Sequence, residues 1–103
     1  TKLINFMSSY KLIDNIEKHQ YEFQIERFTP KIEYIKVKNE IYLTHTEVPV
    51  ELEGKGIASD LAEQVLEDID SQGLRLIPLC PFIAKYIQKH PEWKRLVMKG
   101  INI

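Results

Sequence analysis

Two closely spaced glycines stand where a strand pattern gives way to a helix pattern. Gly54 and Gly56 flank Lys55, and Ile57 and Ala58 begin the helical stretch. The first N–H groups of a helix have no intrahelical acceptor, and the helix dipole adds positive potential there. Glycines leave these amides open, so the loop is suited to binding a pyrophosphate. The same residues also suit a plain strand-to-helix turn, and neither standard nucleotide-binding fingerprint is present.

Two polar residues just before this loop are candidates for accepting a proton. His45 and Glu47 are two positions apart in a strand pattern, so their side chains share one face. A histidine titrates near neutral pH, and a carboxylate becomes a better base when burial raises its pKa. A polar pair on the exposed face of a sheet explains the same spacing. Both interpretations stay open from the sequence.

A single cysteine, Cys80, follows a short apolar run and precedes Pro81. A thiol becomes a nucleophile when its pKa, about 8.5 in free cysteine, is lowered. The apolar neighbours Leu79 and Phe82 favour the neutral thiol, so a buried and inert cysteine is the alternative. One cysteine forms no internal disulfide, and no Cys/His spacing suits a zinc site. We therefore expect no bound metal.

Three strands are predicted before the glycine loop. Apolar and polar residues alternate from Tyr21 to Glu26, the period-two pattern of a half-buried strand. Two further strands, Lys31–Lys38 and Ile41–Val48, are joined by a short turn and form a hairpin. Pro49 ends the third strand because proline has no N–H to donate. Residues 1–19 instead carry apolar residues three or four apart, which predicts a loose amphipathic helix.

The helix after the loop has the clearest pattern. Its apolar stripe recurs at i, i+3 and i+4 and consists of Ile57, Ala58, Leu61, Ala62, Val65, Leu66 and Ile69. Gly73 is placed to close this helix through a left-handed residue. Leu74–Leu79 follows as a strand buried on both faces and disturbed at Pro78, then Phe82–Lys89 as a short helix, with a further turn over 92–98. This order indicates an α/β or α+β architecture with helices covering a largely antiparallel sheet.

Composition limits the class of protein. The chain has 103 residues with 14 Lys+Arg against 15 Asp+Glu, so its formal charge is −1. We expect a single domain over 1–103, with 1–12 as an extension and 98–103 as a tail. The balanced charge argues against a dedicated nucleic-acid binder. No apolar stretch approaches the roughly 20 residues that span a bilayer, and no signal peptide is recognisable, so we expect no membrane partner and a cytoplasmic location.

Separated motifs in this sequence resemble those of the GNAT acyltransferases, and more narrowly their compact single-domain N-acetyltransferases. The motifs are Thr44-His45-Thr46-Glu47-Val48-Pro49, Gly54-Lys55-Gly56-Ile57-Ala58, Ile77-Pro78-Leu79-Cys80-Pro81-Phe82, Tyr86-Ile87 and His90-Pro91-Glu92. The resemblance runs from about Ile13 to Val97. It implies a twisted, mainly antiparallel sheet, flanked by helices, that splays beside the strand carrying Glu47. Acetyl-CoA would lie in that splay.

The resemblance also implies roles for single residues. Those implied to bind the cofactor are Thr46, Val48, Glu53, Gly54, Lys55, Gly56, Ile57, Ala58, Cys80 and Phe82. Tyr86 would lie near the coenzyme sulfur and protonate the departing thiolate, unless it is only a packing residue on an apolar face. Cys80 would line the acetyl pocket, and His45 or Glu47 would accept the amine proton.

One residue departs from the family pattern. The superfamily loop begins with Arg or Gln where this chain has Glu53, and a carboxylate repels the phosphates that arginine would attract. The leading hypothesis is an acetyl-CoA-dependent N-acetyltransferase that acts by direct transfer on a primary amine of a small molecule or peptide. A CoA-binding or protein-interaction module with little turnover is the alternative. A plain structural domain is the third hypothesis.

Overall fold

The computed structural model describes residues 10–103, and this part of the chain contains five strands and two α-helices. In chain order these are β1 (Ile13–Asn15), β2 (Gln20–Glu22), β3 (Lys31–Val37), β4 (Glu40–Glu47), α1 (Ile57–Gln72), β5 (Arg75–Pro78) and α2 (Pro81–Lys89). Short 3-10 helices occupy Val50–Leu52 and Pro91–Leu96. No helix within residues 10–103 is long and apolar enough to cross a membrane. The mixed α/β class predicted from the sequence is confirmed.

The five strands form one sheet in the order β1-β2-β3-β4-β5. Neighbours from β1 to β4 are antiparallel because short connections join them, whereas β5 pairs parallel with β4 after the α1 crossover. Pairing between β4 and β5 runs from Glu40–Arg75 to Leu43–Pro78. Beyond that point β4 continues to Glu47 beside β3 alone. The two strands therefore part at the proline, and the end of β4 is open on one side.

Helix α1 covers one face of the sheet and carries much of the core. Its predicted apolar stripe is buried at Ile57, Leu61, Ala62, Val65, Leu66 and Ile69, while Ala58 is half-buried. The stripe belongs to one cluster with fully buried residues of the strands, namely Ile32, Ile41, Leu43 and Leu76. Gly56 and Gly73 stand at the two ends of α1, both in the left-handed conformation. Burial of this stripe fixes the N-terminus of α1 beside the open end of β4.

The helix predicted over residues 1–19 is wrong where the structure describes it, and residues 1–9 lie outside the described part. Ile13–Asn15 forms strand β1, which pairs antiparallel with β2. The chain reverses between these strands through His19, whose φ is +55°. Pairing with β2 gives this segment partners for its backbone, whereas a short helix gains too few hydrogen bonds to form by itself.

Several strand limits also differ from the prediction, most of them by a single residue. β2 ends at Glu22, short of the predicted Glu26. The chain turns at Glu26, which has a φ of +55°, and closes an isolated bridge between Ile25 and Phe28. Leu79, predicted to be buried in β5, lies beyond the end of that strand and is 59% exposed. At the ends of both β2 and β5, the backbone turns away and strand pairing stops, although the apolar pattern of the sequence continues for further residues.

Strand β2 carries a buried carboxylate. Glu22 is only 5% exposed. Its Oε1 accepts hydrogen bonds from Gln20 Nε2 at 2.7 Å and Asn15 Nδ2 at 3.2 Å, and its Oε2 accepts one from Gln24 Nε2 at 2.7 Å. Burial raises the pKa of Glu22, but these amides and the nearby Lys18 outweigh burial and hold the pKa below its usual value.

We expect Glu22→Gln to lower the free energy of unfolding at neutral pH by about 1–3 kcal/mol. The glutamine would bring its own NH₂ group, a donor, into a site where three amide groups already donate hydrogen bonds to residue 22. With a lowered native pKa, the ionised carboxylate stabilises the fold above the unfolded-state pKa, and this contribution is lost as the pH falls through the native pKa. Urea unfolding should therefore show the difference between wild type and variant shrinking as the pH is lowered below the usual pKa of a glutamate. The exposed residue Glu17 provides the control, and an equal pH-dependent loss in Glu17→Gln would contradict the prediction.

Candidate functional site

A cleft of about 470 Å³ opens at the end of β4, where β4 and β5 part. One wall is the end of β4, another is the loop with the first turn of α1, and α2 adds Phe82. The lining residues are Thr46, Glu47, Val48, Leu52, Glu53, Gly54, Gly56, Ile57, Ala58, Ser59 and Phe82. The glycine loop and the splay expected from the sequence therefore meet in one place.

The loop between β4 and α1 is shaped by a proline, a buried leucine and two glycines. Pro49 follows β4 and begins the 3-10 turn Val50–Leu52, in which Leu52 is buried. Gly54 and Gly56 then have φ angles of +80° and +75°. A residue with a Cβ is strained in this left-handed conformation, so glycine is needed at both positions. The two glycines bend the loop along the cleft.

The backbone N–H groups of Ile57, Ala58 and Ser59, which begin α1, have no acceptor among the described residues. The first hydrogen bond of the helix runs from the Asp60 N–H to the Gly56 carbonyl at 3.0 Å. Among the described residues, none accepts a hydrogen bond from the amides of 54–59, and Gly56 provides no side-chain cap. These amides and the positive end of the helix dipole form an anion-binding wall.

The side-chain charges around this wall oppose an anion rather than attract it. Glu53 lines the cleft, whereas Lys55 is exposed and outside the lining. Within residues 10–103, no Lys or Arg lines the cleft. The attraction for an anion therefore comes from backbone amides, and the carboxylates of Glu47 and Glu53 weaken it.

Cys80 is buried beside the cleft, not in its lining. It is 4% exposed, and its Sγ lies 3.2 Å from the Thr46 Oγ1. Its N–H donates to the Leu43 carbonyl at 2.9 Å, and the residue caps the N-terminus of α2. Thr46 itself lines the cleft, so one hydroxyl group separates the thiol from the cavity. The nucleophilic, pocket-lining and inert roles of Cys80 all stay predictions.

His45 and Glu47 lie on the exposed face of β4. His45 Nε2 is 3.5 Å from Glu47 Oε1, and Lys31 Nζ is 3.7 Å from the same oxygen. Glu47 lines the cleft and His45 does not. The geometry therefore favours Glu47 as the proton acceptor, with His45 beside it. In the part of the chain that the structure describes, no group of three or more His, Cys, Asp and Glu side chains is placed to hold a metal ion.

Tyr86 lies in a hydrogen-bonded cluster between α1 and α2, away from the cleft lining. Its hydroxyl donates to Glu63 Oε1 at 2.5 Å, and Trp93 Nε1 donates to the same oxygen at 3.1 Å. The His90 ring stacks on the tyrosine ring with centroids 4.1 Å apart. Burial, then the hydrogen bond and charge of Glu63, raise the pKa of Tyr86 well above its usual value. A higher pKa makes the hydroxyl a weaker acid, so this arrangement favours packing. The acid role stays a prediction.

A Tyr86→Phe variant separates these two roles. We expect it to lower the free energy of unfolding by about 1–3 kcal/mol, because Glu63 loses a buried donor. The turnover number should stay within about threefold of wild type. Tyr42→Phe is the matched control, since the contact from the Tyr42 hydroxyl to Glu40 Oε1 is long, at 3.5 Å. A fall in kcat of about 100-fold with an intact fold would instead establish Tyr86 as the acid.

Most of the residues implied to bind the cofactor line the cleft, namely Thr46, Val48, Glu53, Gly54, Gly56, Ile57, Ala58 and Phe82. Lys55 and Cys80 do not. The lining also contains Leu52 and Ser59, which the prediction from sequence missed. Ser59 directly follows Ala58, so extending the motif by one helical residue would have found it. Nothing in the sequence around Leu52 indicated a binding role.

A model of the GCN5-related N-acetyltransferases matches residues 20–96, from β2 to the last 3-10 helix. This match spans well over half of the sequence. The chain belongs to the GCN5-related N-acetyltransferase family. Its cleft is formed entirely by residues within the matched segment.

Relatives of this acetyltransferase include both curated proteins and a solved structure. Protein NATD1 of Xenopus tropicalis is 28% identical over 88 residues, which cover 82% of this chain and 80% of the relative. Protein NATD1 of Mus musculus is 37% identical over 54 residues, 52% of this chain and 49% of the relative, so the chain spans about half of that protein. The solution structure of a GCN5-like protein from Staphylococcus aureus has a TM-score of 0.68 at 24% identity, covering 93% of this chain and 94% of that chain. This structural likeness supports the fold of the acetyltransferase.

Proposed function

We propose that this acetyltransferase moves the acetyl group of acetyl-CoA directly to a primary amine. The observation that carries the proposal is the row of amides at 54–59, which have no acceptor within residues 10–103 and face, across one cleft, the end of β4 that β5 does not pair. Family membership supports the reaction class. A Cβ built at Gly54 or Gly56 meets no atom within 4 Å, so a ligand has room to approach the loop backbone. These features fit a coenzyme with a diphosphate at one end and an extended arm at the other.

Each wall of the cleft has a separate task in this proposal. The loop amides bind the diphosphate, whose charge suits the helix N-terminus. The backbone of β4 near Thr46 and Val48, unpaired on the β5 side, offers hydrogen bonds to the pantetheine arm. Glu53 opposes diphosphate binding, and the backbone amides must outweigh it.

The transfer itself needs a neutral amine and a proton for the leaving group. Glu47 accepts a proton from the ammonium form of the substrate, and the free amine then attacks the thioester carbonyl. The C–N bond forms, the C–S bond breaks, and the thiolate takes up a proton to leave as CoA. One proton is released for each amide formed.

Calorimetry followed by a turnover assay tests the proposal. CoA and acetyl-CoA should bind, whereas pantetheine, which lacks the diphosphate, should bind more weakly. At a concentration of 100 Kd, CoA should stabilise the fold by about 2.7 kcal/mol in thermal unfolding. Acetylated product with any primary amine completes the test. CoA binding without acetylation of any amine would favour the CoA-binding module, and the absence of CoA binding would overturn both functions.

A further inference from the structure

A second cavity, of about 290 Å³, lies on the other side of the end of β4. We call it the polar cup, and its lining residues are Lys18, Gln20, Glu22, Gln24, Thr29, Lys31, Glu47 and Pro49. Glu47 lines both the polar cup and the cleft, and within the described residues it is the one residue that the two linings share. A molecule in the cup therefore contacts a residue that also lines the cleft.

Strand register explains why the cup and the cleft meet at Glu47. Glu22 pairs with Lys31 and Lys31 with Glu47, so the three side chains form a row across β2, β3 and β4 on one face of the sheet. Thr46 points to the opposite face, where it meets Cys80. The cleft lies on the helix-covered side and the cup on the other. Glu47, at the last position of β4, stands at the edge between them.

Seven of the eight residues that line the cup are polar or charged. Pro49 is its one apolar residue within the described chain, and the rest are carboxylates, ammonium groups, amides and a hydroxyl. The amides of Gln20 and Gln24 hold the Glu22 carboxylate at 2.7 Å each. The Thr29 hydroxyl lies 3.4 Å from Gln24 Oε1, which is long for a hydrogen bond between these groups. A ligand hydroxyl can replace such a weak contact.

The charges of the cup leave Glu47 as its most available carboxylate. Lys31 Nζ lies 3.0 Å from Glu33 but 3.7 Å from Glu47. Glu22 is already held by its amide donors. An ammonium group entering the cup therefore meets Glu47 at lower cost than Glu22, the other carboxylate of the lining, because the contacts that Glu47 gives up are long, 3.7 Å to Lys31 and 3.5 Å to His45.

We propose that the polar cup binds the acceptor of the acetyl group, and that this acceptor is a small hydrophilic primary amine bearing hydroxyl or carboxylate groups. This inference rests on the proposed function. The volume lies at the small end of ligand pockets, which suits a single small molecule. A lysine side chain or an aryl amine gains most from apolar walls for its stem or ring, and Pro49 is the one apolar residue among those described that line the cup.

In the bound state the ammonium group lies against Glu47, and the other polar groups of the acceptor contact Gln20, Gln24 and Thr29. Glu47 takes the proton, and the amine nitrogen passes the edge of β4 to form the C–N bond with the acetyl carbon. The C–S bond breaks, the thiolate is protonated, and the amide product stays on the cup side. The coenzyme and the acceptor thus enter from opposite faces of the sheet.

Amide spectra of the ¹⁵N-labelled protein test where the amine binds. D-glucosamine and L-serine, titrated with and without CoA, should shift the side-chain NH₂ signals of Gln20 and Gln24. Tryptamine and a lysine-containing peptide should not. If the hydrophilic amines leave these signals unchanged, or if tryptamine or the peptide shifts them more strongly, the inference is overturned.

A Thr29→Val variant tests the cup in turnover. It should raise KM for the preferred amine by roughly three- to tenfold, the effect of one lost hydrogen bond, and leave kcat and the Kd of CoA unchanged. Ser71→Ala removes an exposed hydroxyl at the far end of α1 and serves as the matched control. Equal KM values for the two variants would contradict the inference. Amine binding at the cup without acetylated product would support the cup and count against the proposed transfer, so the two failures are distinguishable.

Discussion

Replacing Glu47 with Gln is expected to lower kcat/KM for amine acetylation about 100-fold, the lower end of what a general base contributes. The reason is position: Glu47 lines both the coenzyme cleft and the polar cup. Glutamine keeps the size of the side chain and cannot accept the proton. Calorimetry should give an unchanged Kd for CoA, because the amides at 54–59 are untouched. Steady-state rates at saturating acetyl-CoA give the measurement.

The pH dependence of that loss distinguishes a base from a structural residue. Alkylamines have pKa values of about 10, so solvent supplies more of the neutral amine as the pH rises. The ratio of the wild-type kcat/KM to that of Glu47→Gln should therefore become smaller between about pH 7 and pH 9.5. Glu33→Gln is the matched control, since Glu33 also contacts Lys31, at 3.0 Å, but lines neither cavity. An equal loss in both variants, or a deficit independent of pH, would rule out Glu47 as the base.

The parts of the site that could be predicted are those set by neighbours in the chain. Pro49 stops a strand, Gly54 and Gly56 permit left-handed turns, and the apolar stripe that begins at Ile57 starts a helix. Each effect acts over a few residues, so the loop and its free amides follow from the sequence. The same holds for the end of β5 at Pro78, which produces the splay.

Other parts depend on which distant residues meet. The polar cup exists because Glu22, Lys31 and Glu47 fall into register across three strands, and because the chain turns back at Glu26. No local pattern encodes that register. The direction of the Tyr86 hydroxyl likewise depends on how α2 packs on α1, which brings Glu63 within hydrogen-bond distance. The family resemblance suggested Tyr86 as the acid, but only the packing shows that its hydroxyl already has a carboxylate partner.

A Glu53→Arg variant is expected to tighten CoA binding about tenfold, which corresponds to about 1.4 kcal/mol. Glu53 lines the cleft next to the loop amides, and no Lys or Arg in the described chain lines it with them. Arginine would replace repulsion of the diphosphate by attraction and by paired hydrogen bonds. Calorimetry with CoA gives the affinity directly. The gain should shrink as salt is raised, because exposed charges are screened over roughly 10 Å at 0.1 M.

Glu51 supplies a control of the same charge and nearly the same position. It is exposed in the 3-10 turn before Glu53 and does not line the cleft, so Glu51→Arg changes the net charge equally without placing a cation in the cleft lining. Pantetheine adds a second comparison, because a ligand without the diphosphate should bind both variants as it binds wild type. If Glu51→Arg tightens CoA binding as much as Glu53→Arg, the effect is one of overall charge. If Glu53→Arg leaves the affinity unchanged, the diphosphate does not lie against this loop, and the assignment of the cleft to the coenzyme fails with it.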